Sequence, residues 1–113
     1  MNEYQQRLES FLLGAKLSPE YDISFKSVFG ARAAYANGRI FATLGKFGFA
    51  LKLPSDVCSE LFDNGQATPL KYFANGHVKR GYAVVDEDHA EVQSRLSRLI
   101  VQSVIFAQAD EIG

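Results

Sequence analysis

The sequence holds a single cysteine, Cys58, in 113 residues. One thiol excludes an intrachain disulfide and any cysteine-rich zinc site. Histidine is almost as scarce. His77 and His89 are the only two, and a zinc site would need carboxylates beside them that the sequence does not place. His77 follows an Asn-Gly turn and reads as a turn residue, and His89 reads as an exposed residue in the first turn of a helix. No apolar run approaches the roughly 20 residues of a membrane helix. Residues 1–6 lack both the basic and the apolar stretch of an export signal. A cytoplasmic protein with no membrane partner is therefore the expectation. The Gly-x-Ser-x-Gly elbow of serine hydrolases is missing, as is the Gly-x4-Gly-Lys-Ser/Thr phosphate loop. Neither catalytic, cofactor-binding nor metal-ligating residues are assigned. An excess of one charge is missing too: the net charge of −1 argues against a strongly basic nucleic-acid binder.

What the chain does have is enough apolar material for one core. A domain of this length buries about 65% of its unfolded surface. No repeat, low-complexity tract or linker divides it, so one domain over 1–113 is expected. Residues 3–16 read as an amphipathic helix, with Asn2 as cap and Tyr4, Leu8, Phe11, Leu12 and Ala15 on one stripe. Ser18-Pro19 stops it. Residues 23–29 alternate, with Ile23, Phe25 and Phe29 on one face and Ser24 and Lys26 on the other, as a strand requires. Asn37-Gly38 between 32–36 and 39–44 predicts a type I′ hairpin. A Gly45–Gly48 turn leads into 49–53, where Phe49, Leu51 and Leu53 share a side. These segments make an antiparallel meander of three or four strands.

A second helix starts at Pro54-Ser55, with Ser55 as expected N-cap, and ends at Asn64-Gly65. Cys58 lies on its apolar face beside Val57, Leu61 and Phe62, where a neutral thiol is inert. Residues 68–73 and 81–85 read as two more strands. Asp86-Glu87-Asp88 opens the last helix, with Asp88 and Glu91 as a capping pair. Four acids there serve the positive helix end before any acid–base chemistry. The apolar stripe of this helix, Val92, Leu96, Leu99, Ile100, Ser103 and Ala107, is widened by Val104 and Ile105. That width suggests burial on two sides. Val92, Leu96, Leu99, Ile100 and Val104 are accordingly the candidate dimer helix. The fold class is α+β: an antiparallel sheet with three helices, in the order α-β(3-4)-α-β(2)-α.

The small net charge conceals a split. Residues 23–85 carry eight bases against three acids, whereas the two ends carry four bases against ten acids. A basic middle between acidic ends can mark a partner surface, or be scatter among solvated side chains. The candidate partner surface is Arg32, Arg39, Lys46, Lys79 and Arg80. Aromatic residues interleave with these bases, which admits nucleic-acid binding by stacking and phosphate contact. Strand alternation, however, turns most of those rings inward.

Four short stretches stand out together: Ser27-Val28-Phe29-Gly30-Ala31, Tyr35-Ala36-Asn37-Gly38-Arg39-Ile40-Phe41-Ala42, Leu51-Lys52-Leu53 and Gly81-Tyr82. In combination they resemble the TfoX/Sxy N-terminal domain family. That family shows a Met-Phe-Gly-Gly turn, an Asn-Gly-type hairpin, Phe-Ala in the third strand, Leu-Lys ending the fourth and Gly-Tyr in the last. Val28 stands here for the Met and Ala31 for the second Gly, so Ala31 has to keep φ negative. The resemblance covers about residues 3–108. It implies a secretion-chaperone-like α+β fold, a homodimer, and a bacterial, non-enzymatic regulator of natural competence and DNA transformation. It implies a protein partner that is a transcription regulator, since better-known members act with the cyclic-AMP receptor protein. Those members also carry a helical C-terminal domain that these 113 residues do not include. Two alternatives stay open: direct DNA binding through the basic face of the sheet, and a small ligand-binding domain.

Overall fold

The computed structural model of the chain describes residues 3–28, 30–71, 78–85 and 92–109. Its elements are α1 (Glu3–Ala15), β1 (Ile23–Val28), β2 (Ala31–Ala36), β3 (Arg39–Gly45), β4 (Gly48–Lys52), α2 (Ser55–Asp63), β5 (Ala67–Leu70), β6 (Lys79–Val85) and α3 (Val92–Ala109). The expected cap at Asn2, the strand end at Phe29, the segment 72–73, both histidines and the capping pair Asp88–Glu91 lie outside the described residues.

The six strands form one antiparallel sheet in the order β1-β2-β3-β4-β6-β5. The first four are a meander, as the alternation and turns predict. Asn37 and Gly38 have φ of 53° and 81°, the two positive values a type I′ turn needs. At the other end of β3, Gly45 is required by space. A Cβ there would stand 2.7 Å from the Ala31 Cβ and 3.0 Å from the Phe47 ring. Ala31 itself sits in β2 with negative φ, as its side chain demands.

The pairing registers define two faces. Phe25 opposes Ala34, Ala34 opposes Ala42, Ala42 opposes Leu51, and Leu51 opposes Ala83. This row faces the helices and belongs to the main core with Leu8, Phe49, Leu96, Ile100 and Val104. α1 packs on β2, β3 and α3, α3 also packs on β4, and α2 covers β5 and β6. Phe11 of α1 stacks on Phe49 with centroids 4.6 Å apart, a contact worth about 0.5–1.5 kcal/mol beyond area burial. On the opposite face a row of Ala33, Thr43, Ala50 and Val84 runs across the strands.

The start of α2 departs from the expected cap. Pro54 is the N-cap residue, Ser55 is already helical, and no side chain caps the helix. The Pro54 carbonyl instead accepts from Cys58 N at 3.0 Å. The C-terminus follows expectation. Gly65 has φ of 69°, its N–H donates to the Phe62 carbonyl, and Gln66 N donates to the Leu61 carbonyl. That pair of bonds is a Schellman motif.

Candidate interaction surface

The five candidate bases fall into two groups at opposite ends of the strands. Arg32 opposes Leu44 at the end of the β2–β3 hairpin that leads to exposed Lys46. Arg39, half-buried, opposes Ala36 beside the Asn37-Gly38 turn. Lys46 follows the seven residues of β3 that begin with Arg39, about 23 Å from it at strand rise. Lys79 and Arg80 are exposed and open β6, beyond the Lys52–Tyr82 pair at the Arg39 end.

Arg32 is also turned to the helix side of the sheet. Its register partner there is Ser27, and its Nη1 donates to the Ser27 hydroxyl at 2.8 Å. Among the described residues the Arg32 Nε is buried without a partner. On the opposite face stand two bases outside the candidate set, Lys26 and Lys52. They share that face with Tyr35 and Tyr82. The Lys26 ammonium lies 5.1 Å from the Tyr35 ring centroid, a cation–π geometry. Alternation within β1 already assigns Lys26 to this side, but the neighbour it meets depends on the β1–β2 register.

The stripe on α3 is largely consumed inside one protomer. Leu96, Ile100 and Val104 are at most 2% exposed, and Ala107 is buried with them. Leu99 is half-buried against the same core, and Val92 begins the helix. The width of the stripe has an intramolecular cause, since α3 lies against the sheet and α1 together. Among its described side chains the exposed positions are Arg95, Arg98, Gln102, Ile105 and Ala109.

The feature that sequence periodicity did not reveal is a groove beside α1. It encloses about 530 Å³ and is lined by Leu13, Leu17, Ile23 and Phe25, with Glu9 and Lys16 also on its wall. Leu13 falls off the buried stripe of its helix and is 78% exposed. The groove exists because β1 is the edge strand, and α1 sits over β2 and β3. Ile23 and Phe25 are left half-buried on the helix side. An apolar residue at an exposed helix position was the one signal in the sequence that could have marked it.

Cys58 lies in the core, 5% exposed, with its thiol toward the Leu53 carbonyl at 3.6 Å. Burial, and secondarily the negative Asp56, push its pKa above the ordinary thiol value. The thiol is therefore neutral and poorly nucleophilic. Among the described residues, no three His, Cys, Asp or Glu side chains gather at one place. No described helix is long and apolar enough to cross a membrane.

A family model described as TfoX N-terminal domain matches residues 15–107. The matched span runs from the last residue of α1 to Ala107 in α3, and so takes in the whole sheet. No curated protein matches the sequence.

Proposed function

The chain belongs to the TfoX N-terminal domain family, a regulatory family linked to competence, and from that premise we propose that it acts as a protein-interaction module in transcriptional regulation. The observation that carries this reading is the family match across the sheet and most of α3. The partner is a transcription regulator of the cyclic-AMP receptor type, and the chain works without catalysis. The buried, neutral Cys58 accords with a role in which no side chain serves as nucleophile. The two groups of bases, Arg32 with Lys46 and Arg39 with Lys79 and Arg80, offer contacts to acidic partner residues that set recognition and on-rate.

The test joins a cellular and a binding measurement. Transcripts of DNA-uptake genes are compared in a naturally transformable bacterium with and without the chain. Purified chain is titrated against the cyclic-AMP receptor protein and, separately, against promoter DNA at low salt. The expected result is a several-fold fall in transcript on removal, binding to the regulator, and no shift of DNA alone. Unchanged transcripts would overturn the reading. A DNA shift by the chain alone, weakening steeply with salt, would replace it by direct DNA binding.

A further inference from the structure

We propose that the open edge of β1 and the groove beside α1 together form a docking site for an extended segment of a partner protein, which adds a strand to the six-stranded sheet. The segment carries apolar residues at two alternate positions, flanked by an acid and a base. This goes beyond the interaction with a transcription regulator and does not rest on it.

Among the described residues β1 has one strand neighbour, β2, and stands at the end of the sheet. An edge strand offers unpaired N–H and C=O groups to another strand. Which residues offer them follows from Asp22, just before β1. Its N–H donates to the Asn37 side chain and its carbonyl accepts from Asn37 N, both at 2.9 Å. Both backbone groups of Asp22 therefore point toward the β2 side. In an antiparallel pair this direction alternates residue by residue. Ser24 and Lys26 thus also bond toward β2, while Ile23, Phe25 and Ser27 turn their N–H and C=O outward. Ile23 and Phe25 are at the same time the β1 residues that line the groove. Residues of an added strand directly opposite them share their face. The residues of the segment that hydrogen-bond to the edge are then the ones whose side chains enter the groove.

Leu12, Leu13 and Leu17 complete the apolar lining of the groove, whose volume of about 530 Å³ is that of a cleft able to take apolar ligand groups. Leu13 is 78% exposed, and side chains entering from the β1 edge cover it. A helix laid in the groove would cover the same leucines but leave the edge unpaired, so the geometry favours a strand. Charge fixes the register on the other face, where Asp22 and Lys26 are both exposed. Lys26 rests on the Tyr35 ring at 5.1 Å and keeps its charge at the surface. A lysine on an edge strand ordinarily guards against pairing. Here it rejects segments that lack an acid at the matching position, and Asp22 rejects those that lack a base. Every pair in the sheet is antiparallel. An antiparallel addition reads, from its N-terminus, acid, apolar, any residue, apolar, base, set opposite Lys26, Phe25, Ser24, Ile23 and Asp22. Backbone bonds supply the affinity of such a strand addition, and its alternate side chains supply the specificity.

The probe is the synthetic peptide Ser-Glu-Val-Thr-Val-Lys-Ser, labelled with a fluorophore and titrated against the full chain by anisotropy. Saturable binding is expected, with amide exchange slowed at Ile23 and Phe25. N-methylation of both valines keeps their side chains but removes their N–H donors, and should abolish binding. Exchanging the Glu and Lys of the peptide should weaken binding on the order of tenfold, and the paired change Asp22→Lys with Lys26→Asp should reverse that preference. Leu13→Asp, at a position mostly in solvent, should weaken binding with an unchanged thermal midpoint, which separates loss of the groove from loss of fold. No saturation at millimolar peptide would overturn the proposal. So would binding indifferent to N-methylation or to the charge exchange. Amides of Ile23 and Phe25 already protected in the free chain would overturn it as well, because the edge would then be covered before any segment arrives.

Discussion

The hydroxyl of Ser103 on α3 donates to the carbonyl of Phe41 at 2.6 Å, and both residues are fully buried. Phe41 is the extra residue where the β2–β3 register shifts: Ile40 opposes Tyr35, Ala42 opposes Ala34, and Phe41 opposes nothing. A bulge turns two successive side chains toward one face, and Phe41 joins Ala42 in the core beneath α3. The unpaired residue leaves the ladder incomplete, and the Ser103 hydroxyl meets its carbonyl. Ser103→Ala should therefore cost about 1–3 kcal/mol, since it strands a buried acceptor. Urea unfolding measures it, and a loss under about 0.5 kcal/mol would mean that the Phe41 carbonyl finds another donor.

Thr43 presents the opposite case. It is fully buried on the face away from the helices, between Ala33 and Ala50, and among the described residues its Oγ1 has no hydrogen-bond partner. A desolvated hydroxyl without a partner is a cost that an isosteric methyl removes. Thr43→Val should stabilise the fold by about 1 kcal/mol. A destabilised variant in the same urea titration would show that the hydroxyl is hydrogen-bonded in solution.

Asn37 ties the hairpin to two distant segments. Its backbone N–H and side-chain oxygen clasp Asp22, and its Nδ2 donates to Gln108 Oε1 at 3.3 Å. Gln108 in turn donates to the Ala36 carbonyl at 2.7 Å. Asn37→Gly keeps the positive φ but loses the side-chain bonds, whereas Asn37→Ala loses both. Alanine should be the worse variant by about 1 kcal/mol, the cost of a left-handed backbone for a residue with a Cβ. Equal losses in thermal unfolding would assign the residue's value to its side chain instead.

Cys58 predicts a pH effect of definite sign. Its folded pKa lies above the unfolded value, so the unfolded chain loses the proton first as pH rises. Stability from this group is complete below the ordinary thiol value of 9.0 and declines as pH climbs beyond it. Iodoacetamide should label the native thiol slowly at pH 8 and the urea-unfolded thiol at least tenfold faster. Equal rates would place the thiol at the surface. Cys58→Ser should flatten the alkaline decline, and an unchanged pH profile would assign that decline to other groups.

The local elements were legible because each rests on a short-range rule. Leu8, Leu12 and Ala15 face the core at helical spacing, Asn37-Gly38 makes its turn without help from elsewhere, and Gly65 ends α2 as a left-handed glycine must. The Ser55 cap was misplaced by one residue because Pro54 at the N-cap and Ser55 at the first helical position compete for the same sequence signal. The bulge at Phe41 was not legible. Strict alternation would send Phe41 and Ala42 to opposite faces, and only the demands of two neighbouring strands and α3 turn both inward.

The sequence by itself determined the kind and order of the helices and strands, and their positions to within a few residues, and that one face of most of them is apolar. Those preferences arise within a few residues, from side-chain spacing and backbone sterics. The tertiary structure decided which strands became edges and which bases share a face. It also turned Arg32 toward the helices, made Lys26 a neighbour of Tyr35, and left Leu13 exposed over an uncovered β1. These outcomes depend on register and on where α1 comes to rest. Both are set by contacts between segments far apart in the chain, whose energies exist only once the layers have packed.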